Sequence, residues 1–195
     1  MRVIVIGCEY TGVTTLIEGL MDWGHERDIN HHLDDHFTIP DRQHLAPEDR
    51  ETMANLTPAL KERFQRMQLV YHIRLMHRFD HILLGGFHIE EAVYGPLYYY
   101  PGGVASEIRQ YEEEMPNNAI LVHLKASTEV IQRRMETDLH EYSLIKKEDI
   151  PMLLDRFQEE FDASLIPNKI QIDTSNMTPD ELLQAFLSES TQFAG

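Results

Sequence analysis

The stretch that decides the fold is Arg2-Val-Ile-Val-Ile-Gly-Cys-Glu-Tyr-Thr-Gly-Val-Thr-Thr15, near the amino terminus. Its first residues form an unbroken β-branched run that stops at Gly7, which predicts a short strand buried on both faces. From Thr14 to Met21 the apolar residues recur at helical spacing, and Gly24 is placed to end that helix. The segment is therefore predicted to be a strand, a glycine-framed loop and a helix.

The loop itself follows the pattern G-x-x-x-x-G-x-[ST], with Gly7, Gly12 and Thr14 at the fixed positions. In a phosphate-binding loop of this spacing the backbone N–H groups and the helix dipole face phosphate oxygens, and the hydroxyl binds Mg²⁺. The lysine of the usual pattern is replaced by Val13. The residues predicted to bind the phosphates are Gly7, Tyr10, Thr11, Gly12, Val13, Thr14 and Thr15. Tight packing of strand on helix, without a ligand, is the alternative interpretation.

The remaining chain alternates strand and helix patterns. Further strands are predicted at 81–84, 119–124 and 169–172, and helices at 104–114, 127–138, 149–164 and 179–188. A long helix is expected after Pro58, with an apolar stripe facing the core that consists of Leu60, Phe64, Met67, Tyr71 and Leu75. This order predicts one α/β domain over residues 1–195, a three-layer parallel sheet with ligands at the carboxyl ends of its strands.

Composition limits the function. The 195 residues are 42% hydrophobic and carry 17 Lys+Arg against 33 Asp+Glu, a formal net charge of −16. Such an acidic chain is not expected to bind duplex nucleic acid, so an anionic ligand has to be small and met by local donors. No apolar run is long enough to span a membrane. The single Cys8 favours a reducing compartment, and we expect a cytoplasmic protein.

Residues 25–44 hold five of the 11 histidines and several aspartates. In one interpretation Asp34 or Asp35, at the end of a second strand, accepts a proton from an acceptor hydroxyl or binds Mg²⁺ water. In another, the segment binds Zn²⁺ or Fe²⁺ through His31, His32, His36 and Asp34 or Asp35. A solvated acidic loop is the third interpretation.

With these segments in view, the chain resembles the P-loop kinases of the thymidylate kinase and deoxynucleoside kinase group. Four stretches carry the resemblance: Gly7–Thr15, Asp34–Phe37 with Pro40, Asp80–Gly95 and Arg133–Lys147. The resemblance implies a nucleoside or nucleotide kinase with a short LID at about 134–148 and ATP, or another nucleoside triphosphate, with Mg²⁺ as cofactor. The partners it implies are a nucleotide and a small-molecule acceptor, with a homodimer as one expected assembly and with no duplex nucleic acid or membrane.

The resemblance also assigns roles to single residues. Asp34 or Asp35 is expected to act as the base and Asp35 to bind Mg²⁺ with Thr14, while LID arginines meet the phosphates. These arginines are Arg133, which contacts the cofactor, and Arg134, which is catalytic. The residues expected to face the acceptor are His88, Glu91 and Tyr94. Two departures from the family stand out, Val13 in place of lysine and Gly85-Gly86 in place of Asp-Arg. Because both remove charge that stabilises phosphoryl transfer, a nucleotide-binding protein without kinase activity is the alternative function.

Overall fold

A computed structural model describes residues 1–34, 38–39, 43–44, 46–102, 107–138 and 143–193. The strands are β1 (Arg2–Ile6), β2 (His32–Asp34), β3 (Thr38–Ile39), β4 (Gln43–His44), β5 (Ile82–Gly85), β6 (Ala119–Lys125) and β7 (Asn168–Asp173). The α-helices are α1 (Val13–His25), α2 (Pro47–Ala54), α3 (Pro58–Arg78), α4 (Phe87–Tyr94), α5 (Arg109–Glu113), α6 (Thr128–Thr137), α7 (Ile150–Ala163) and α8 (Pro179–Ser190). A π-helical turn, Gly95–Tyr99, follows α4, and 3₁₀ turns lie at Lys147–Asp149 and Thr191–Phe193.

Five parallel strands form one sheet in the order β2-β5-β1-β6-β7, and β3 and β4 pair separately as an antiparallel hairpin. Strand β1 lies in the centre, where Val3 is in register with Leu83 of β5 and with Ile120 of β6. Since every strand of the main sheet runs the same way, the ends of β1, β2 and β5 meet at one edge. The loop Gly7–Gly12 leaves β1 at this edge.

Helices cover both faces of the sheet, because the side chains of each strand alternate between two cores. Ile4 and Ile6 enter a core formed with α3, α4 and α7, whereas Val3 and Val5 enter a second core formed with α1 and α8. These strand residues are fully buried. The prediction of a three-layer α/β fold with a parallel sheet is confirmed.

The long helix α3 differs from its prediction. Leu60, Phe64 and Met67 are 49%, 53% and 65% exposed, so the expected core stripe is wrong over the first half of the helix. Only the second half packs on the sheet, through residues such as Ile73 and Met76. A helix of 21 residues is longer than the strands it covers, so its first turns project past the sheet edge.

Helices α5 and α2 also differ from the sequence prediction. The helix predicted at 104–114 is a single short helix, α5, and residues 103–106 lie outside the described chain. Helix α2 was not predicted, because it has almost no apolar residues to set a periodicity. Within the part of the chain that is described, no helix combines the length and apolar character that crossing a bilayer requires.

Candidate phosphate-binding site

The loop after β1 is held in a tight curve by its own groups. The backbone N–H and the hydroxyl of Thr11 both donate to the carbonyl of Cys8, at 3.1 and 2.7 Å. Tyr10 and Gly12 have φ angles of +66° and +99°, so the backbone turns through the left-handed region twice within three residues. Glycine adopts this conformation without strain, which explains the residue at position 12.

Gly7 is required by close approach rather than by its backbone angles. A Cβ atom at this position would lie 2.6 Å from the carbonyl oxygen of Leu124 and would overlap the Thr11 hydroxyl. The loop therefore packs directly against the end of β6. Such a fixed backbone can hold its N–H groups in one geometry before any ligand arrives.

Helix α1 begins directly after the loop. Its first backbone hydrogen bond runs from the N–H of Leu16 to the carbonyl of Gly12, at 2.9 Å. The N–H groups of residues 13–15 precede that bond, so the helix itself does not use them, and they are donors for an anion at its positive end. The Thr14 side chain is exposed beside them. Its hydroxyl is the kind of oxygen ligand that Mg²⁺ prefers.

A cavity of about 780 Å³ opens over this loop. Its floor is the predicted phosphate-binding segment, Gly7 to Thr15, and its walls come from α3, α4, the π-helical turn, the start of α8 and the described parts of the LID. The wall residues with polar or aromatic side chains include Lys61, Phe64, Gln65, Gln68, Glu90, Tyr94, Tyr98, Tyr99, Arg134, Asp138, Ser143 and Thr174. The seven residues predicted to bind the phosphates are thus brought together at one cavity.

Arg134 reaches the cavity from α6 and binds the loop. Its guanidinium donates to the carbonyl of Tyr10 at 2.8 Å and to the carbonyl of Thr174 at 2.7 Å. The Thr174 hydroxyl in turn donates to the carbonyl of Thr11 at 2.8 Å. Burial lowers the pKa of Arg134, but an arginine remains charged at neutral pH. Arg133, its neighbour, is exposed and does not line the cavity.

Glu9 joins the loop to the LID. Its carboxylate accepts hydrogen bonds from the Ser143 hydroxyl at 2.7 Å and from the N–H of Leu144 at 3.0 Å. The N–H of Glu9 donates to the Tyr94 hydroxyl, at 3.0 Å. Together with the Thr11 N–H, two of the loop's amide donors are therefore already used by the protein. Glu9 links the loop both to α4 and to the LID.

The three residues predicted to face the acceptor all lie on α4, but they do not all face the cavity. Tyr94 lines the cavity, but His88 and Glu91 do not. His88 is fully buried, with its Nε2 atom 2.8 Å from Glu112. Glu91 accepts a hydrogen bond from Tyr100, and burial raises the pKa of Glu91 to about 7. Of the three, the structure therefore places Tyr94 alone at the described cavity, and the role of each residue at the acceptor stays a prediction.

The orientation of α4 decides which of its residues reach the cavity. Glu90 and Tyr94 are four residues apart and both line the cavity. Glu91 lies three residues before Tyr94, but it is buried with His88 away from the cavity lining. Since spacings of three and four both place a residue beside Tyr94, the sequence alone does not separate Glu90 from Glu91.

The acidic and histidine-rich segment is only partly described. Strand β2 ends at Asp34, whose backbone is in register with Leu84, so it reaches the same sheet edge as the loop. The Asp34 side chain and the whole of Asp35 and His36 lie outside the described residues. Their predicted roles as base and Mg²⁺ ligand stay predictions.

Two histidines of that segment, His31 and His32, pack inward. His32 stacks on Phe79 with ring centroids 4.2 Å apart, and His31 meets His81 edge to face. Burial lowers the pKa of His31 to about 4, and His81 adds to this effect. Among the residues that the structure describes, no three His, Cys, Asp or Glu side chains form a group suited to a metal ion.

Several wall residues were not predicted from the sequence. Lys61, Phe64, Gln65 and Gln68 come from the first half of α3. Of these, Phe64 belongs to the stripe that the apolar spacing assigns to the core. Thr174 follows β7 directly, and a polar residue just beyond the carboxyl end of a parallel strand is a usable signal for a ligand site.

The protein is similar to known proteins in its structure and not in its sequence. No family model matches the chain, and no curated protein sequence is significantly similar to it. The YorR protein from Bacillus subtilis, solved in complex with phosphorylated GDP, is 19% identical with a TM-score of 0.63, and the match covers 98% of both chains. The fold is that of the P-loop kinases.

Two kinases show the same agreement. Thymidylate kinase from Candida albicans is 12% identical with a TM-score of 0.62, over 98% of this chain and 91% of that chain. Deoxyadenosine kinase from M. mycoides with bound dATP is also 12% identical with a TM-score of 0.62, over 98% of this chain and 100% of that chain. At these identities the likeness establishes the P-loop kinase fold and leaves the activity open.

The side chains at the phosphate-binding loop carry less positive charge than the usual phosphate-loop pattern, which has a lysine at position 13. The Val13 side chain packs toward Gly85, where an added Cβ would lie 3.7 Å from it and 3.1 Å from Ile17. Apolar contact thus occupies the position of the usual lysine. Among the described residues that line the cavity, the cations are Lys61 and Arg134.

Proposed function

We propose that the protein is a phosphotransferase that uses ATP or another nucleoside triphosphate with Mg²⁺ and transfers a phosphoryl group to a small-molecule hydroxyl or phosphate. The observation that supports this most is the preformed loop, whose N–H groups at residues 13–15 open into a cavity large enough for a nucleotide. A kinase fold with a cavity at this edge of its sheet is consistent with that use.

In this proposal the loop and the start of α1 hold the donor phosphates through backbone amides. Thr14, together with a carboxylate from Asp34 or Asp35, would hold Mg²⁺, and the ion would supply positive charge that offsets the charge of the phosphates. Arg134 keeps the loop in shape through the carbonyls of Tyr10 and Thr174 and brings positive charge near the transferred group. Asp34 or Asp35 accepts the proton of the acceptor hydroxyl.

Ligand-induced stabilisation provides the first test, because any compound that binds only the native state raises the melting temperature. We expect ATP or GTP to raise it in the presence of Mg²⁺ and to do so much less in EDTA. Release of ADP or GDP is then followed with nucleosides, nucleoside monophosphates and sugars as acceptors. If neither nucleotide shifts the melting temperature with Mg²⁺ present, the proposal is wrong.

A second function is favoured by Val13 and the Gly85-Gly86 pair, which remove three charged side chains that a kinase of this group carries. The protein would then bind a nucleotide without transferring phosphate. The substitution Val13→Lys distinguishes the two. In a binding protein it tightens ATP binding while turnover stays absent, whereas in an enzyme adapted to valine the measured turnover is unchanged or falls.

A further inference from the structure

The carboxylate of Glu90 occupies space that any other residue at position 86 would fill. A Cβ atom on Gly86 would lie 2.5 Å from Cδ of Glu90 and 2.8 Å from its Cβ, and it would overlap the Oε2 oxygen. Gly86 itself has a φ of +70°, which favours glycine. Gly86, directly after β5, therefore allows the Glu90 side chain of α4 to fold back over the sheet edge.

Tyr99 fixes this arrangement. Its hydroxyl donates to Oε1 of Glu90 at 2.7 Å, from the π-helical turn that follows α4. Glu90 and Tyr99 both line the cavity that contains the phosphate-binding loop. The Glu90 carboxylate therefore faces the ligand cavity from a helix and is positioned by Tyr99 from the adjoining turn. These are the features of a preorganised recognition site.

The charge balance of the cavity indicates what this site recognises. Its described wall carries three carboxylates, Glu9, Glu90 and Asp138, against the two cations Lys61 and Arg134. Arg134 is already bound to two backbone carbonyls. A donor triphosphate adds further negative charge, and a second phosphate on the acceptor would bring about two more charges at pH 7.

A carboxylate accepts hydrogen bonds from hydroxyl groups and repels phosphates. We propose that Glu90, held by Tyr99, binds a hydroxyl group of the acceptor, and that the acceptor is a neutral hydroxylated molecule such as a nucleoside or sugar, not its phosphate ester. This inference rests on the proposed phosphotransferase function and narrows its substrate class.

The test compares the wild-type protein with Glu90→Gln and with Glu113→Gln, which removes the same charge from an exposed position on α5. Binding of a non-hydrolysable ATP analogue with Mg²⁺ is measured first by thermal shift. Dissociation constants are then measured, with that analogue present, for matched pairs: deoxyadenosine and dAMP, deoxyguanosine and dGMP, thymidine and dTMP, glucose and glucose 6-phosphate.

We expect at least one neutral compound to bind the wild-type protein about tenfold or more tightly than its phosphate, which is about 1.4 kcal/mol. Glu90→Gln should reduce this ratio about tenfold. The glutamine amide does not repel a phosphate, and its oxygen accepts a weaker hydrogen bond from the substrate hydroxyl than a carboxylate does. Glu113→Gln should leave the ratio unchanged.

The inference about Glu90 is overturned if the analogue binds but no neutral compound does, if a phosphate is preferred by the wild-type protein, or if Glu90→Gln leaves the ratio unchanged. Failure of the analogue itself to bind refutes the phosphotransferase proposal, and the acceptor inference is then refuted with it. The two failures are therefore distinguished by the first measurement.

Discussion

Replacing Gly7 with alanine tests whether the phosphate-binding loop depends on direct packing against β6. The added Cβ would lie 2.6 Å from the Leu124 carbonyl and would overlap the Thr11 hydroxyl. The loop must therefore move by several tenths of an ångström, and Thr11 must give up one or both of its hydrogen bonds to Cys8. Overpacking of this kind costs about 1–3 kcal/mol, and each lost hydrogen bond about 1 kcal/mol.

We therefore expect Gly7→Ala to reduce the free energy of unfolding by about 2–4 kcal/mol in urea titrations. In a chain of this size that lowers the melting temperature by roughly 4–16 °C. Nucleotide binding should weaken more than tenfold even where the variant is fully folded, because the N–H groups of residues 13–15 move with the loop.

Gly19→Ala is the matched control. Its Cβ would meet Leu183 at 3.6 Å, an ordinary contact distance, inside helix α1. Alanine is favoured over glycine in a helix interior by about 1 kcal/mol, so this variant should be as stable as the wild type or more stable. If Gly7→Ala unfolds at the wild-type urea concentration and binds ATP equally well, the close approach of the loop to β6 is not what shapes the site.

Three other predictions follow from single residues. Arg134→Ala leaves the carbonyls of Tyr10 and Thr174 without their donor, so ATP binding measured by calorimetry should weaken about tenfold or more; unchanged affinity would contradict the bracing role. Burial raises the pKa of Cys8 to about 12, so its reaction with a thiol reagent at pH 8 should be at least about a hundredfold slower in the native than in the urea-unfolded protein. Burial lowers the pKa of His123 to about 4, so the unfolded chain takes up a proton that the native state does not as pH falls below about 6.5, and stability is lost. That loss is about 2 kcal/mol between pH 7 and pH 5, and urea titrations of His123→Gln should show a correspondingly smaller decrease.

The fold could be predicted from the sequence because its signals are local. The apolar run before Gly7 is too short and too β-branched to be a helix, and its buried strand is confirmed. The helix predicted from residue 179 is confirmed as α8, whose first turn is fixed by a capping box between Thr178 and Glu181. Such signals depend on neighbours within one or two turns, so tertiary contacts do not change them.

The site was less predictable, because its residues are chosen by geometry between distant segments. The apolar spacing on α3 is correct for a helix, but it cannot show where the sheet beneath that helix ends. It therefore predicts a core position for Phe64, which instead lines the cavity. Similarly, the pattern of α4 does not reveal which of its faces turns to the cavity, so it does not separate Glu90, which lines the cavity, from His88, which is buried away from it.

The negative net charge of the chain limits how the cavity can bind phosphate groups. The chain has a net charge of −16 and has Val13 in place of a lysine. Among the described residues that line the cavity, two cations stand against three carboxylates, so these side chains alone do not neutralise a triphosphate. The donors left for the phosphates are backbone amides at the start of α1, and helix dipoles and amides bind anions without formal charge. Nucleotide affinity should therefore depend on Mg²⁺ more steeply than on ionic strength, because the ion supplies positive charge that the chain lacks. The same shortage of cations makes a second phosphate costly, so the acidity that limits the donor site also favours an uncharged acceptor.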